Sequence, residues 1–300
     1  MKKLLLNLGA VAQVMWAAAP AQAFNPVDGC FPSAVPRSLK AMNFNSVIRP
    51  SVPLEEIQKI SQIFKETFAE DLARRGQVLK ITLDESKTDF NAFAKVEGAD
   101  RLIMVNARAM AFQAKMNPDV VGLVLCHELG HHLGGEPVVA EYDMSAEGQA
   151  DYFATSKCMR RLLRTPYFQQ NVQPVSLVYQ SYCGAFLGRN DVADCARGLM
   201  AASVLAGITA RINLQEPPAI EKSDQTRVVA TEMAHPSAQC RLDTLRAGGL
   251  CHKSDELLMT RGFPNWGACL LRDSSLYEVR PACWYAPGSQ WITLANEISF

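Results

Sequence analysis

The sequence predicts an α+β fold that is mainly helical, with a small β-sheet and a disulfide-tied C-terminal lobe. Three observations support this class. Apolar residues recur at helical spacing in several long stretches, two short stretches alternate as β-strands do, and nine cysteines lie beyond residue 29. We divide the chain into a signal peptide (1–23), an extended N-terminal arm (24–53), a main domain (54–250) and a lobe rich in Cys and Trp (251–300).

The first 23 residues have the features of a secretory signal peptide. Two lysines follow Met1, an apolar stretch runs to residue 19, and residues 21–23 read Ala-Gln-Ala, a small-x-small cleavage site. The apolar core is shorter than the roughly 20 residues that span a bilayer, which argues against an uncleaved anchor. We therefore expect an exported protein, periplasmic or secreted, whose mature chain begins at Phe24.

Five prolines in residues 24–53 predict an extended arm.

The balance of charge and the distribution of apolar residues limit the classes of partner that we expect. The chain carries 30 basic and 30 acidic side chains without a long basic run, so we expect neither nucleic acid nor anionic lipid as a partner. The apolar stretch from Leu199 to Ile212 is short and rich in Gly and Ala. It favours a buried helix over a transmembrane span in the mature chain.

The main domain is predicted to open with an amphipathic helix and two strands. Residues 54–72 place apolar side chains at helical spacing, with acids at positions 55 and 56 and a stop at Gly76. The stretch from Val78 to Leu83 alternates as a strand, and a second strand is predicted from Arg101 to Asn106.

The stretch around which we organise the chain is residues 126–132, Cys-His-Glu-Leu-Gly-His-His. An N-cap at Asn117 and a stop at Gly134 place it on a helix. His127 and His131 are four residues apart, so they lie on one face and can bind one ion. The helix is nearly all apolar before the motif and therefore buried, and buried histidines need partners. The alternative is a core helix that matches the pattern by chance.

The motif predicts one zinc ion (Zn²⁺) per chain. Zinc held by three protein ligands keeps a fourth position for water and lowers the pKa of that water to about 7. Glu128 lies beside His127 in the sequence and is the predicted base that takes the proton from this water.

A following helix is predicted to supply the remaining ligand. Ser145 can cap a helix that runs to about Leu163 and carries Glu147 and Asp151 four residues apart on one face. Glu147 is the candidate third zinc ligand. Asp151 could accept the free ring N–H of a ligand histidine and fix its tautomer. The alternative is that both acids lie on a solvated helix face.

Four further segments complete the main domain. Helices are predicted for residues 175–186 and 192–212, and the polar loop of residues 213–233 is the predicted mobile cover of the site. His235-Pro236 then opens a helix that carries Arg241 and ends at Gly248-Gly249.

His132 follows His131 directly in the motif helix. It should therefore point away from His131 around that helix, as a surface residue or one that supports a ligand indirectly.

Nine cysteines behind a signal peptide indicate disulfides formed in an oxidising compartment. Cys126 is the predicted free thiol, because it lies on the buried motif helix. The sequence alone cannot choose among pairings of the other eight. Short separations favour three pairs and leave a fourth: Cys183–Cys195, Cys240–Cys251, Cys269–Cys283 and Cys30–Cys158.

In order and spacing, four segments resemble those of the gluzincin metallopeptidases of the CAAX-endoprotease/HtpX/BepA-like family. Residues 91–94 read Asn-Ala-Phe-Ala, like the family segment that precedes the strand edging its active site. The His-Glu-x-x-His at residues 127–131 matches the family's zinc helix, and the Glu-x-x-Ala-Asp at residues 147–151 matches its third-ligand motif. His235-Pro236 followed by Arg241 is similar to its late His-Pro and arginine element, so the resemblance covers roughly residues 54–248.

The resemblance implies that residues 54–250 form a zincin-like metallopeptidase domain whose small sheet edges the active-site cleft. It implies zinc on His127, His131 and Glu147, with Glu128 as base. It also implies that Asp151 orients a ligand histidine, that His235 stabilises the oxyanion, and that Arg241 braces the ligand helix or the substrate. The expected activity is that of a zinc-dependent endopeptidase of the cell envelope that acts in protein quality control on unfolded or misfolded envelope proteins.

The chain departs from the family pattern at two places. Lys-Val-Glu-Gly at residues 95–98 replaces the usual Pro-Gly-Gly, and Ala-Arg-Ala-Met at residues 107–110 replaces Gly-Leu-Leu, so the substrate edge should differ in shape. The predicted mature chain lacks the membrane helices of the CAAX proteases, which argues against a prenylated substrate. We expect a polypeptide substrate to add to residues 102–106, as the edge strand, by backbone hydrogen bonds.

Two other functions compete with proteolysis. One is a zinc-dependent chaperone or binding factor for misfolded envelope proteins, with the tryptophans of the terminal lobe as its binding element. The other is a structural zinc protein whose fourth protein ligand closes the site, and Cys30 is a candidate for that ligand as well as for a latency switch.

Overall fold

The computed structural model describes residues 49–287 together with Gly29. The predicted signal peptide, most of the predicted arm and Trp291 therefore lie outside the described residues. Within the described part the chain is α+β, with helices predominating over a small sheet, as the sequence predicts.

The small sheet lies near the start of the described chain. Helix α1 (Leu54–Ala73) is followed by β1 (Val78–Leu83), β2 (Ala92–Glu97) and β3 (Asp100–Val105). The strand order is β1-β3-β2, with β3 parallel to β1 and antiparallel to β2. The predictions of α1, β1 and β3 are confirmed.

The prediction that β3 is the substrate edge is wrong, because β3 is the central strand. A tight turn at Gly98, with a φ of 58°, folds β2 back beside β3 and places β2 at the edge. The Asn-Ala-Phe-Ala tetrapeptide runs into this edge strand, which the alternation pattern did not reveal. The short helix α2 (Ala107–Phe112), which follows β3, was also not predicted.

Helix α3 (Pro118–Leu133) carries the motif and is buried along its whole length. Its N-cap is Asn117, whose Oδ1 accepts a hydrogen bond of 3.0 Å from the backbone N–H of Val120. The helix ends before Gly134-Gly135, as predicted. Burial on all sides explains why almost every position outside the motif is apolar.

A second helical run carries the predicted acids. The short strands β4 (Val138–Val139) and β5 (Met144–Ser145) lead into α4 (Glu147–Phe153), a π-helical turn (Ala154–Cys158) and α5 (Met159–Leu163). The predicted end at Leu163 is confirmed, but Ser145 is not the N-cap. The helix begins after Ala146, and the Ser145 hydroxyl donates a hydrogen bond of 2.7 Å to the carbonyl oxygen of Gly135.

The remaining helices are α6 (Pro166–Gln170), α7 (Leu177–Gly184), α8 (Arg189–Ile212) and α9 (Ala238–Leu250). Helix α8 is long and apolar enough to cross a membrane by length and composition alone, and 67% of its most apolar window is buried inside the protein. Helix α9 ends at Leu250, one residue beyond its predicted end at Gly248-Gly249. Its glycines instead allow close packing, since a Cβ added to Gly248 would lie 2.4 Å from the carbonyl oxygen of Tyr152.

The loop between α8 and α9 is bound to two neighbouring segments. Arg246 of α9 donates a hydrogen bond of 2.6 Å to the carbonyl oxygen of Ile220, and the backbone N–H of Glu232 donates one of 2.7 Å to Trp284. The loop reaches the predicted site through Met233, whose carbonyl oxygen accepts a hydrogen bond from the backbone N–H of Glu147. Its mobility stays a prediction.

Four disulfides link the described cysteines: Cys126–Cys158, Cys183–Cys195, Cys240–Cys283 and Cys251–Cys269. The prediction of Cys183–Cys195 is confirmed, whereas the other three predicted pairs and the free thiol at Cys126 are wrong. Helix packing, rather than separation along the chain, brings cysteines within bonding distance, and Cys126 on α3 faces the π-helical turn that holds Cys158. These disulfides fit an oxidising, exported environment.

The described part of the terminal lobe, residues 251–287, consists of turns and one isolated bridge between Thr260 and Phe263. Its two described tryptophans differ in environment. Trp284 is fully buried against Gly148, whereas Trp266 is 54% exposed. Of these two, only Trp266 is available to contact a partner.

Candidate metal centre

Three predicted ligands converge at the interface of α3 and α4. His127, His131 and Glu147 are buried, and their ligand atoms all lie within 4.8 Å of one another. Nε2 of His127 lies 3.2 Å from Oε2 of Glu147, and Nε2 of His131 lies 3.5 Å from Oε1 of the same carboxylate. The structure therefore contains a candidate metal-binding group at the predicted residues.

The other ring nitrogen of each histidine contacts a fixed acceptor. Nδ1 of His131 lies 2.8 Å from the carbonyl oxygen of Ser145, and Nδ1 of His127 lies 2.7 Å from Oδ1 of Asp151. A carbonyl oxygen can only accept, so Nδ1 of His131 carries the proton, and the Asp151 carboxylate makes the same demand on His127. In the neutral rings, each Nε2 then presents a lone pair towards Glu147, as a metal-binding histidine must.

Asp151 is held in place by Arg241. Nε and Nη2 of Arg241 each donate a hydrogen bond of 2.9 Å to a different oxygen of the carboxylate, and both side chains are buried. Burial alone would raise the pKa of Asp151, but Arg241 and His127 lower it more, so the carboxyl is ionised. Of the two roles predicted for Arg241, this contact favours bracing of the ligand helix.

Glu147 is also held ionised. Burial would raise its pKa, but the positive charges that His235 first, and then His131, carry when they are protonated lower the pKa below its usual value. Oε2 of this carboxylate is buried and accepts no hydrogen bond from the described residues. Lone pairs on carboxylate oxygens and imidazole nitrogens repel at such short distances unless a proton or a metal cation lies between them. This donor set therefore fits a metal ion.

His235 lies on the Glu147 side of the centre. Its Nε2 is 3.3 Å from Oε1 of Glu147 and has no hydrogen-bond partner among the described residues. Burial lowers the pKa of His235, although Glu147 opposes this effect. His235 precedes α9, so the loop and this helix bring it to the site from a distant part of the sequence. Its predicted role at the oxyanion stays a prediction.

Glu128 is buried on α3, between the two candidate ligand histidines in the sequence. Its position in the motif is the one that the base assignment requires, and that assignment also stays a prediction.

Two contacts near the centre were not predicted from the sequence. Ser145 orients His131 through its backbone carbonyl, which no side-chain pattern could reveal. His132 is buried, so the surface interpretation is wrong, and its Nε2 donates a hydrogen bond of 3.0 Å to the carbonyl oxygen of Leu102 in β3. Burial lowers the pKa of His132 to about 3. The sequence did carry one indication of this contact. A histidine in an otherwise apolar, buried helix needs a hydrogen-bond partner, which here is the sheet.

Two further clusters in the described chain combine possible ligands, namely Asp224 with Cys240 and Cys283, and His252 with Cys269 and Glu278. Their cysteines form disulfides and so present no thiolate.

Comparison with known proteins gives no match to a family model, to a curated protein or to a solved structure. The resemblance to gluzincin metallopeptidases therefore rests on the motifs alone.

Proposed function

We propose that the protein is a zinc-dependent endopeptidase of the cell envelope that hydrolyses unfolded or misfolded polypeptides in the periplasm or after secretion. The observation that carries this proposal is the convergence of His127, His131 and Glu147, with the Nδ1 atom of each histidine held by a fixed acceptor. Two imidazoles and one carboxylate are a donor set used in catalytic zinc sites, where the fourth position stays open.

In this reaction each residue around the metal centre has a separate role. A bound zinc ion supplies Lewis-acid polarisation of the scissile carbonyl and activates water. Glu128 accepts the proton from that water and passes it to the leaving amine. His235 donates a hydrogen bond to the oxygen on which negative charge develops. Asp151 and Arg241 keep His127 in the tautomer that binds metal.

The β2 edge is the surface that we assign to the substrate. In the described part of the chain β2 pairs only with β3, and α3 packs against both strands. Addition of an extended chain to a strand edge uses backbone hydrogen bonds and so tolerates many sequences. This tolerance suits a protease for unfolded proteins.

The test is the Glu128→Gln variant, which keeps the shape of the side chain but removes the base. We expect it to bind one zinc per chain and to cleave neither casein nor an unfolded outer-membrane protein. Glu136→Gln is the matched control, because Glu136 lies just beyond the same helix and contacts Gly262. The control should cleave at the wild-type rate. Cleavage retained by Glu128→Gln would contradict the assignment of the base.

A zinc-dependent chaperone or binding factor with little proteolysis is the second candidate. It is favoured by exposed apolar side chains in residues 263–277 of the terminal lobe, a stretch that could contact unfolded chains: Phe263, Trp266, Leu271, Leu276 and Tyr277. Suppression of aggregation that survives in Glu128→Gln, in the absence of any cleavage by the wild type, would favour this function.

A further inference from the structure

A cavity of about 730 Å³ lies along one face of helix α8. One wall includes Ser203, Gly207 and Ala210, whose spacing of three and four residues places them on the same face of the helix. Tyr179 of α7, Lys115 and the first residues after α8 contribute the other walls. The volume falls within the roughly 300–1,000 Å³ that is usual for small-molecule sites. None of the candidate metal ligands lines this cavity.

Gly207 keeps the α8 wall low, although packing does not require a glycine there. Nothing lies within 4 Å of a Cβ added to Gly207, so no neighbouring element excludes a side chain at this position. Glycine in the interior of a helix is less favourable than alanine, because the unfolded chain loses more freedom. A side chain at position 207 would instead enter the cavity. The glycine is therefore explained if the cavity has to stay open.

The backbone around the cavity is strained at two positions. Three residues other than glycine have a positive φ in the described chain, and two of them, Lys115 at 69° and Leu214 at 53°, line this cavity. Residues with a Cβ rarely adopt this conformation, and such strain is often found at ligand sites.

The wall formed by Gln215 is held by two hydrogen bonds. The backbone N–H of Gln215 donates a hydrogen bond of 2.8 Å to the carbonyl oxygen of Ala210. Its side-chain Oε1 accepts another of 2.8 Å from the backbone N–H of Ala238, the first residue of α9. These bonds fix the chain after α8 against two helices. The cavity is thus preformed, as ligand sites usually are.

The charged side chains at the cavity are both cations. Lys115 and Arg211 line it, and neither side chain forms a hydrogen bond or an ion pair with any other described residue. Lys115 belongs to the loop before α3, and Arg211 to the last turn of α8. No acidic residue of the described chain lines the cavity. An anionic group is the ligand group that complements this pair.

Much of the remaining lining is apolar. Val204, Leu214 and Pro217 contribute side chains without polar atoms, and Leu214 is 75% exposed. A ligand that consists of an acid alone would leave these side chains in water, whereas one with an apolar body would cover them. A peptide is a poorer match, because its backbone N–H and C=O groups would lack partners along such a lining.

We propose that this cavity binds a small anionic amphiphile, namely a free long-chain carboxylate. The carboxylate pairs with Lys115 and Arg211, and the chain packs along α8 over Gly207. Eight residues separate Ser203 from Arg211, so the site runs for about 12 Å along the helix. A single molecule in a cavity needs two cations rather than the long basic run that a lipid surface would need. The inference does not depend on the proposed peptidase activity.

Titration calorimetry of the full-length exported protein with dodecanoate, below the micellar concentration, tests the site. We expect saturable binding of one molecule per chain, which weakens as the salt concentration rises. Dodecyltrimethylammonium has the same chain with a cationic head and should not bind. Butyrate has the acid without the long chain and should bind about tenfold more weakly or worse.

Substitution of the two cations tests recognition of the carboxylate. Lys115→Gln and Arg211→Gln should each weaken binding about three- to fivefold, as expected for exposed ion pairs, and the double variant about tenfold or more. Arg189→Gln is the matched control, because Arg189 lies at the other end of α8 and does not line the cavity. It should bind dodecanoate as tightly as the wild type.

Gly207→Phe tests the path of the chain, because the added ring would occupy the cavity. We expect this variant to bind dodecanoate about tenfold more weakly or worse and to unfold at no lower temperature than the wild type, since it removes a glycine from a helix. Gly184→Phe is the matched control. Gly184 lies at the end of α7, does not line the cavity, and has nothing within 4 Å of an added Cβ.

The inference is overturned if dodecanoate does not saturate the wild type, or if Gly207→Phe and the double cation variant bind it as tightly as the wild type. Equal binding of dodecanoate and dodecyltrimethylammonium would also overturn it. Binding to phosphatidylglycerol vesicles without binding of free dodecanoate would mean that the protein recognises a lipid surface instead, which contradicts the proposal.

Discussion

Arg241 donates two hydrogen bonds of 2.9 Å to the carboxylate of Asp151, and Asp151 in turn contacts Nδ1 of the candidate ligand His127 at 2.7 Å. A residue of α9 thus orients a candidate metal ligand on α3 through an acid on α4. The same fork joins Arg197 to Asp119 at the other end of α3, with distances of 2.9 and 2.7 Å, where no candidate ligand lies. Variants at the two arginines can therefore separate a loss of stability from a loss of metal affinity.

We expect Arg241→Lys to weaken zinc binding by roughly 10- to 100-fold, the usual cost of removing a group that orients a metal ligand. Lysine cannot reproduce the two-point contact with Asp151. Competition with a chelator measures the affinity. Arg197→Lys, the control, should lower stability to a similar degree and leave the affinity intact. Equal affinities in all three proteins would contradict the bracing role.

Gly130 allows α3 and α4, which carry the candidate ligands, to approach each other. A Cβ at this position would lie 2.7 Å from both Cα and the carbonyl oxygen of Ala150, which are backbone atoms that cannot move aside. We expect Gly130→Ala to cost about 1–3 kcal/mol of stability and to weaken zinc binding, because it separates His131 from Glu147.

Gly122→Ala is the control for this experiment, since it lies on the same buried helix. Its added methyl group would meet the ends of the Leu162, Phe168 and Met159 side chains rather than backbone atoms, and side-chain ends can shift. Thermal unfolding with and without zinc should show a near-neutral effect for Gly122→Ala. If both alanine variants lose zinc affinity equally, the close approach at Gly130 is not what positions the ligands.

His235→Ala should lower turnover by about 100-fold or more and leave zinc bound, because removal of one oxyanion donor has this typical effect. Steady-state cleavage of a peptide and zinc content measure the two quantities. The loss of zinc in this variant would show that His235 supports the metal rather than the reaction.

We expect Lys157 to make the stability depend on pH. Its side chain is almost fully buried in the π-helical turn, and Nζ donates a hydrogen bond of 2.6 Å to the carbonyl oxygen of Ser254. Burial, reinforced by Arg160, lowers the pKa of Lys157 to about 7. Between this pH and the unfolded value of about 10.4 the unfolded chain binds more protons, so stability rises with pH in that window.

Lys157→Met should remove this contribution. The free energy of unfolding of the wild type relative to the variant should increase by a few kcal/mol between about pH 7 and about pH 10. Urea denaturation of both proteins at the two pH values measures the difference. A difference that stays constant or falls with pH would mean that Lys157 is charged in the native protein.

Local signals in the sequence were sufficient for much of the fold. Helix α3 follows from its cap at Asn117 and its stop at Gly134, and α1 follows from its apolar period, because these signals act within a few residues of each other. The grouping of His127, His131 and Glu147 was also predicted, since spacing on α3 and on the next helix determines which side chains share a face.

The features that were missed depend on tertiary packing. The pairing of Cys126 with Cys158 follows from contact between two helices, and the position of β3 at the centre of the sheet follows from the turn at Gly98. The role of the Ser145 carbonyl in orienting His131 comes from the backbone, which carries no residue-specific signal. Each of these features requires knowledge of which elements are neighbours in space.

The central claim is that one ion is shared by two histidines of α3 and the acid of α4. Zinc content per chain, measured in the wild type and in Glu147→Ala after dialysis against a weak chelator, tests it most directly. We predict one zinc per wild-type chain and little or none in Glu147→Ala. Wild-type protein without stoichiometric metal, or a Glu147→Ala variant that retains zinc as tightly, would contradict the account.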